Sequence, residues 1–220
     1  MPNICPTPIH ICRLRLTRLV EGTGVVAAAP NNHVVSDKPM TMTITPEIEQ
    51  GEDKTLIGGC DCIAATYRGR DKLKRFTFEL QMTAWEPSLV EILTGAAVLT
   101  NASSEQIGNS WPDQNSCSAT LNAPVAVEAW QDMWVGDAQN SNPRYVRWIF
   151  PYAYFQISDW TLENDFSMPK FTGYTRKNPN AWANPYVDFP TGVSSLPGQG
   201  GYFWDNTVPA AYCGYSTTST

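Results

Sequence analysis

Met40-Thr-Met-Thr-Ile-Thr-Pro-Glu-Ile48 and Arg75-Phe-Thr-Phe-Glu-Leu-Gln-Met-Thr83 are the two stretches whose reading decides the fold. Side chains of an extended chain point alternately to opposite faces. In the first stretch Met40, Met42, Ile44 and Ile48 share one side, and Thr41, Thr43, Thr45 and Glu47 the other. In the second, Phe76, Phe78, Leu80 and Met82 face inward, opposite Arg75, Thr77, Glu79, Gln81 and Thr83. β-Branched Thr suits a pleated surface. Strands of this kind bury one face and offer a smooth polar face to something that must not adhere. That points to a part of an assembly rather than to an enzyme.

Between the two stretches, Gln50-Gly-Glu-Asp-Lys-Thr-Leu-Ile-Gly-Gly59 reads as a loop, charged at its start and apolar at Leu56 and Ile57. A strand over 61–67 and the strand at Arg75 read as a pair joined by the turn Arg68-Gly-Arg-Asp71. After Thr83, Glu86-Pro-Ser-Leu-Val-Glu-Ile-Leu-Thr-Gly95 is a short helix with legible ends. Pro87 suits the first helical position, Gly95 can take the left-handed conformation that stops it, and Trp85 and Val90 have staple spacing. Its stripe of Leu89, Ile92 and Leu93 predicts packing on a sheet.

Further out, Ile11–Thr17 is a basic strand with Leu14 and Leu16 on one side and Arg13 and Arg15 on the other. Residues 21–24 and 28–32 read as turns, and 100–118, rich in Asn, Ser and Gln, as a long surface loop. Val125–Val135 is a strand. Tyr145–Ile157 is apolar on both sides, which predicts a central strand, with Pro151 marking a bulge or an edge. Leu162–Thr175 is a further strand. From Arg176 on, Pro and Gly are frequent and periodicity is weak, so 176–220 reads as an extended arm. The expected organisation is one domain over 1–220, with 1–38 as an N-terminal strand and arm.

Composition narrows the function classes. Charged residues make up 16% of the 220, well below the ~25% of ordinary domains, while eight Trp, nine Tyr and eight Phe cluster mostly after 145. Permanent contacts between subunits favour aromatics and exclude Lys and Glu. The net charge of −6, without a basic run beyond the interrupted 68–75, argues against tight phosphate binding. A nucleic acid that passes without being held remains compatible with it. Six Cys are too few for a disulfide scaffold, and the start of the chain lacks the marks of a signal peptide. No apolar run approaches the ~20 residues of a membrane span. The expectation is synthesis in a reducing cytoplasm with free thiols and no membrane insertion.

Catalytic constellations are weak. Cys5, His10 and Cys12 lack a spaced fourth ligand, and Cys60-Asp-Cys62 lacks the two-residue spacer of zinc and redox knuckles. No Gly-x-Ser-x-Gly elbow occurs, and Gly58-Gly59 is not followed by the Lys-Ser/Thr of a phosphate loop. The pairs Glu47/Glu49 and Glu52/Asp53 read as solvated surface. The aromatics Trp148, Tyr152, Tyr154, Trp160, Trp182 and Trp204 read as anchors of the arm, with a sugar-stacking platform, best placed at Trp182 and Trp204, as the alternative. No catalytic residue, metal or cofactor is assigned.

Several segments taken in order resemble the tail tube (major tail) proteins of long-tailed bacteriophages. They are Ile44-Thr-Pro-Glu-Ile-Glu-Gln-Gly, Gly59-Cys-Asp-Cys-Ile-Ala-Ala-Thr-Tyr-Arg-Gly-Arg-Asp, Phe76–Thr83 and Pro87-Ser-Leu-Val-Glu-Ile-Leu-Thr-Gly. Tyr145-Val-Arg-Trp-Ile-Phe-Pro151 and Asn178-Pro-Asn-Ala-Trp-Ala-Asn-Pro-Tyr-Val-Asp188 extend the match. Order and character carry it more than identity. The resemblance implies a β-sandwich or half-barrel with one flanking helix. Hexameric rings would stack into a tube that conducts double-stranded DNA without holding it. Partners would be further copies of the chain and other tail proteins, such as the tape measure and the terminator. The location would be the virion, after assembly in the host cytoplasm. Gln50, Gly51, Glu52, Asp53, Lys54, Thr55, Leu56 and Ile57 would form the loop that contacts the next ring. Thr41, Thr43, Thr45, Glu47, Thr77, Glu79, Gln81 and Thr83 would face the lumen, with Arg75 the awkward member. The Asn/Ser-rich insertion, the six Cys and the aromatic C-terminus depart from the plainest members of that family. The alternatives are another β-rich virion part (a tail terminator, a decoration protein or an injection-machine tube) or a carbohydrate-binding β-sandwich.

Overall fold

The computed structural model describes residues 6–28, 30–57, 59, 63–111, 123–158, 167–179 and 198–215. The chain is mainly β, with one large antiparallel sheet and a single short helix among the described residues. Seven strands form the body of the sheet: β1 (Thr7–Arg18), β2 (His33–Ser36), β3 (Pro39–Glu49), β6 (Lys72–Met82), β9 (Val125–Val135), β11 (Tyr145–Ile157) and β12 (Lys170–Thr175). Their order is β2-β1-β9-β11-β12-β6-β3. Two short strands join this body, β10 (Ala138–Gln139) beside β9 and β13 (Gly201–Asp205) beside β11. Separate two-stranded pieces are formed by β4 (Asp53–Ile57) with β5 (Ile63–Arg68), and by β7 (Ala97–Thr100) with β8 (Gln106–Ser110).

Chain connectivity forces the sheet to curl. β2 and β3 lie at opposite ends of the strand order, yet only Asp37 and Lys38 separate them in sequence. A connection that short brings the two ends together only if the sheet bends round on itself. The result is a half-barrel, and it brings β3 against β1.

The inner face of that curl holds the main core. Leu14, Leu16 and Val34 from one end join Phe78, Leu80 and Met82 from the other in a single cluster. The helix α1 (Pro87–Thr94) fills the space with Leu89, Val90, Ile92 and Leu93. Each fully buried side chain of this size contributes about 1.5–3 kcal/mol over leaving it in water. The helix ends as its sequence requires: Pro87 opens it after Glu86, and Gly95 closes it at φ 75°, its amide donating to the Glu91 carbonyl. Trp85, expected as a staple on Val90, is instead more than one-third exposed and donates its indole N–H to the Ser167 carbonyl at 3.2 Å.

β11 is the central strand, flanked by β9 on one side and by β13 then β12 on the other. A register shift between Phe150 and Ala153, at Pro151, switches which residues point inward. Val146, Trp148 and Phe150 lie on the side facing the main core before it, and Ala153, Phe155 and Ile157 after it. The opposite side is also buried, through Ile149, Tyr152 and Tyr154. Gly173 lies opposite both Phe78 and Phe155. Its missing side chain lets their rings stack across β12 at 5.5 Å, because a Cβ there would lie 2.7 Å from Phe155.

Five expectations are corrected here. β5 does not pair with the strand at Arg75 across an Arg68–Asp71 turn; it pairs with β4, while that strand (β6) pairs with β3. Most of the expected 50–59 loop is therefore strand. Residues 101–105 are the turn of the β7–β8 hairpin, not part of one long loop, and 112–118 lie outside the described residues. Met40 and Ile48, assigned to the buried side of β3, are about half exposed because the cluster ends at Met42 and Ile44. Trp204 sits in strand β13 rather than in an irregular segment.

Candidate functional site

β3, β4, β5 and β6 together make one long two-stranded ribbon. The ladder from Pro39↔Met82 to Glu49↔Lys72 stays on the sheet, and the ladder from Asp53↔Arg68 to Ile57↔Ile63 continues beyond it. Gly51 and Gly69 cross at the joint, where backbones approach too closely for any Cβ at Gly51. The Gly69 amide donates to the Glu52 carbonyl at 2.9 Å, and the Gly51 amide to Asp71 Oδ1 at 2.9 Å. The distal part carries Leu56, Ile57, Ile63 and Tyr67 at 63–67% exposure. Gln50 to Ile57, the residues expected to contact a neighbouring ring, thus supply one side of this projecting hairpin.

The two sheet ends differ. β2 is bridged on its outer side by the C-terminal segment, through Val34↔Tyr215 and the Tyr212 amide on the Val35 carbonyl at 3.1 Å. Tyr215 is fixed by its hydroxyl on Glu91, which also accepts from Arg18 Nη2 at 3.1 Å. Burial, then the Glu91 carboxylate, push the Tyr215 phenol well above its ordinary range. β3, eleven residues long, pairs with β6 on one side and with no strand on the other among the described residues.

The outer face over β3, β6 and β12 gathers most of the expected lumen residues. Thr41 lies opposite Gln81, Thr43 opposite Glu79, Thr45 opposite Thr77, and Glu47 opposite Arg75. Thr83 follows the end of β6 and hydrogen-bonds the Lys38 carbonyl through both its amide and its hydroxyl. The face continues into Lys170, Thr172 and Tyr174 of β12, then Gln156 and Tyr154 of β11. The sequence reading assigned no face to the β12 residues, although Lys170/Thr172/Tyr174 alternate against Phe171/Gly173/Thr175 in the same manner. Two adjoining grooves of about 250 and 240 Å³ cross this face.

Its charged groups are organised. Glu47 accepts from Lys74 Nζ at 2.7 Å and from Arg75 Nε, and these cations hold its carboxyl below the usual range. The Arg75 guanidinium stacks over Tyr174 at 5.1 Å; that of Arg176 lies 5.2 Å from Tyr154 and 5.6 Å from Tyr174. The two tyrosine rings stack on each other at 5.8 Å.

Toward β9 and β1 the same face is closed. Arg15 and Arg147 both bond Glu128, which is fully buried, and Arg147 Nη1 lies 3.7 Å from Asp205. Trp130 carries both guanidiniums, at 5.5 and 5.1 Å. The signal in the sequence was a lone charge inside each apolar run: Glu128 in β9 and Arg147 in β11.

Nucleophile candidates fare poorly. Cys12 donates to the Trp130 carbonyl at 3.4 Å, and burial, then Asp132, push its thiol up to about 11, so it stays protonated near neutrality. Cys213 is a free, exposed thiol. Among the described residues no three His, Cys, Asp or Glu side chains gather as metal ligands, and no helix is long and apolar enough to cross a membrane. Cys5, Cys60, Cys62, Trp160 and Trp182 lie outside the described residues. No protein-family model matches the sequence, and no curated protein matches it.

Proposed function

We propose that this chain is a self-assembling tube subunit of the tail-tube type, a non-enzymatic virion part whose rings stack around a channel for double-stranded DNA. The observation that carries this reading is the ribbon over 39–82. It combines an eleven-residue strand with no second strand partner among the described residues and a hairpin whose Leu56, Ile57, Ile63 and Tyr67 are 63–67% exposed. Open edges and exposed apolar arms are liabilities for a solitary protein. In a closed ring of identical copies both are satisfied: β3 pairs with a neighbour, and the hairpin packs on the next ring. The face bearing Thr41, Thr43, Thr45, Thr77, Glu79 and Gln81 then lines the channel, rich in hydroxyls and amides that do not hold DNA.

Negative-stain microscopy of the purified protein tests it. Hollow tubes are expected, and Leu56→Asp with Ile57→Asp should stop growth at rings or smaller species. A wild-type protein that stays monomeric at high concentration by sedimentation would overturn the proposal.

One observation favours a second reading. Tyr202 and Trp204 on β13 are 60 and 63% exposed, and Trp148, 5.3 Å from Tyr202, is oriented by its indole bond to Gln131 at 2.7 Å. Such a row suits the flat face of a sugar. Monomers retained on a glycan column, and released by Trp204→Ala, would decide for a carbohydrate-binding module.

A further inference from the structure

We infer that the groove between Arg75 and Arg176 is a contact point for the phosphodiester backbone of a nucleic acid. The inference rests on the tube reading in that it names what the polar face touches as DNA passes. The chain as a whole carries −6, yet two guanidiniums meet at this groove: Arg75 on β6 lines it, and Arg176, just after the end of β12, stacks on Tyr154 and Tyr174 of its wall, while Lys170 lies in the adjoining groove. Facing them are Glu47, already shared by Lys74 and Arg75, and Glu79. Glu21 also acts on Tyr154, so the cations stand among carboxylates rather than in a basic cluster.

The arginines are prepared for an anion. A guanidinium lying on an aromatic ring keeps its edge N–H groups free, and that edge matches two oxygens of a phosphate. Both guanidiniums lie within 6 Å of the Tyr174 ring, which limits the rotamers lost on binding. Arg75 spends Nε on Glu47 and keeps both terminal nitrogens. Arg176 has no carboxylate or carbonyl partner for its side chain among the described residues. Thr45, Thr77 and Thr172 line the same groove and add neutral donors. No feature of the groove reads base edges. Two or three cations beside carboxylates give a contact that forms and releases quickly, unlike the clustered Lys and Arg of a tight binder. That brevity favours passing duplex DNA over a retained sulfated glycan.

The test is fluorescence anisotropy of a labelled DNA duplex of about twenty base pairs (two turns), with full-length protein and heparin as the competing polyanion. Two phosphate contacts predict a log–log salt slope of about −1.8, so a fourfold rise in salt weakens binding roughly tenfold. Arg75→Ala with Arg176→Ala should abolish low-salt binding. Arg176→Gln alone, a change at an exposed side chain, should roughly halve the slope; thermal melts check that each variant folds. Wild-type binding no tighter than the double variant, an unchanged slope in Arg176→Gln, or tighter binding of heparin than of DNA would each overturn the inference. Grids of the same samples keep the two ideas separate: tubes without groove-dependent DNA binding defeat only this contact, and monomers defeat the tube.

Discussion

Two glutamates on the same outer face of the sheet each hold two basic side chains, and they do opposite things. Glu128 sits between Arg15 and Arg147 with no exposure, roofed by its own fold. Glu47 sits between Lys74 and Arg75 near the open edge, with about a third of its side chain in water. Their ionic partners are alike, a Glu in a strand with cationic side chains on neighbouring strands, and only the apolar run around Glu128 sets the two apart in sequence. The difference teaches that the same ionic trio is a structural keystone where solvent is excluded and an adjustable surface where it is not. A third carboxylate, Glu86, lies between these extremes. It is buried, accepts from Ser36 Oγ at 3.0 Å, and leaves its second oxygen without a partner among the described residues.

The largest effect should come from Glu128→Ala, which strands two buried guanidiniums and should cost about 3–5 kcal/mol in urea denaturation. A sharper version replaces the trio together (Arg15→Met, Glu128→Leu, Arg147→Met) and should recover most of that loss. If the single and triple variants lose equally, the cluster is not acting through uncompensated charge. Next comes Glu86, whose carboxyl is raised, first by burial and then offset in part by Ser36. A raised acid contributes stability that is complete below its unfolded value and is lost as pH rises through its folded value. Glu86→Gln should therefore match wild type in acid and exceed it near neutrality, by on the order of 1 kcal/mol. Parallel stability–pH curves for the two proteins would refute this. The smallest effect belongs to Glu47→Gln. Its carboxyl is lowered by Lys74 and Arg75, so what stability it gives is present above the ordinary carboxylate range and fades as pH falls through its folded value. In moderate salt the unfolding midpoint should barely move, while DNA binding at the neighbouring groove should rise as the competing carboxylate disappears.

Much of the architecture was legible in residue order. The alternation of Phe76–Met82 against Thr77–Gln81 placed a strand and its buried side correctly, because one-sided burial leaves a period of two. Pro87 and Gly95 marked the helix ends for equally local reasons. The two-sided apolar run at Tyr145–Ile157 signalled a central strand, and Pro151 its bulge. Partner choice was less legible. β5 has the same local character whether it pairs with β4 or β6, and only the crossing of Gly51 and Gly69 makes the ribbon continuous. Arg15, Glu128 and Arg147 lie far apart in the chain, so no window of sequence contains the cluster they form.

The amino-acid sequence alone determined where the helix and the long strands β3, β6, β9 and β11 lie and which face of β6 is polar, since both follow from side chains a few residues apart. Tertiary structure alone decided that the sheet curls to bring β3 against β1, that β2 is covered while β3 has no second strand partner among the described residues, and that Arg75 and Arg176 share the Tyr174 ring. Those outcomes depend on contacts between residues distant in the chain. Their free energy comes from burial and pairing that exist only once the whole sheet has closed on its helix.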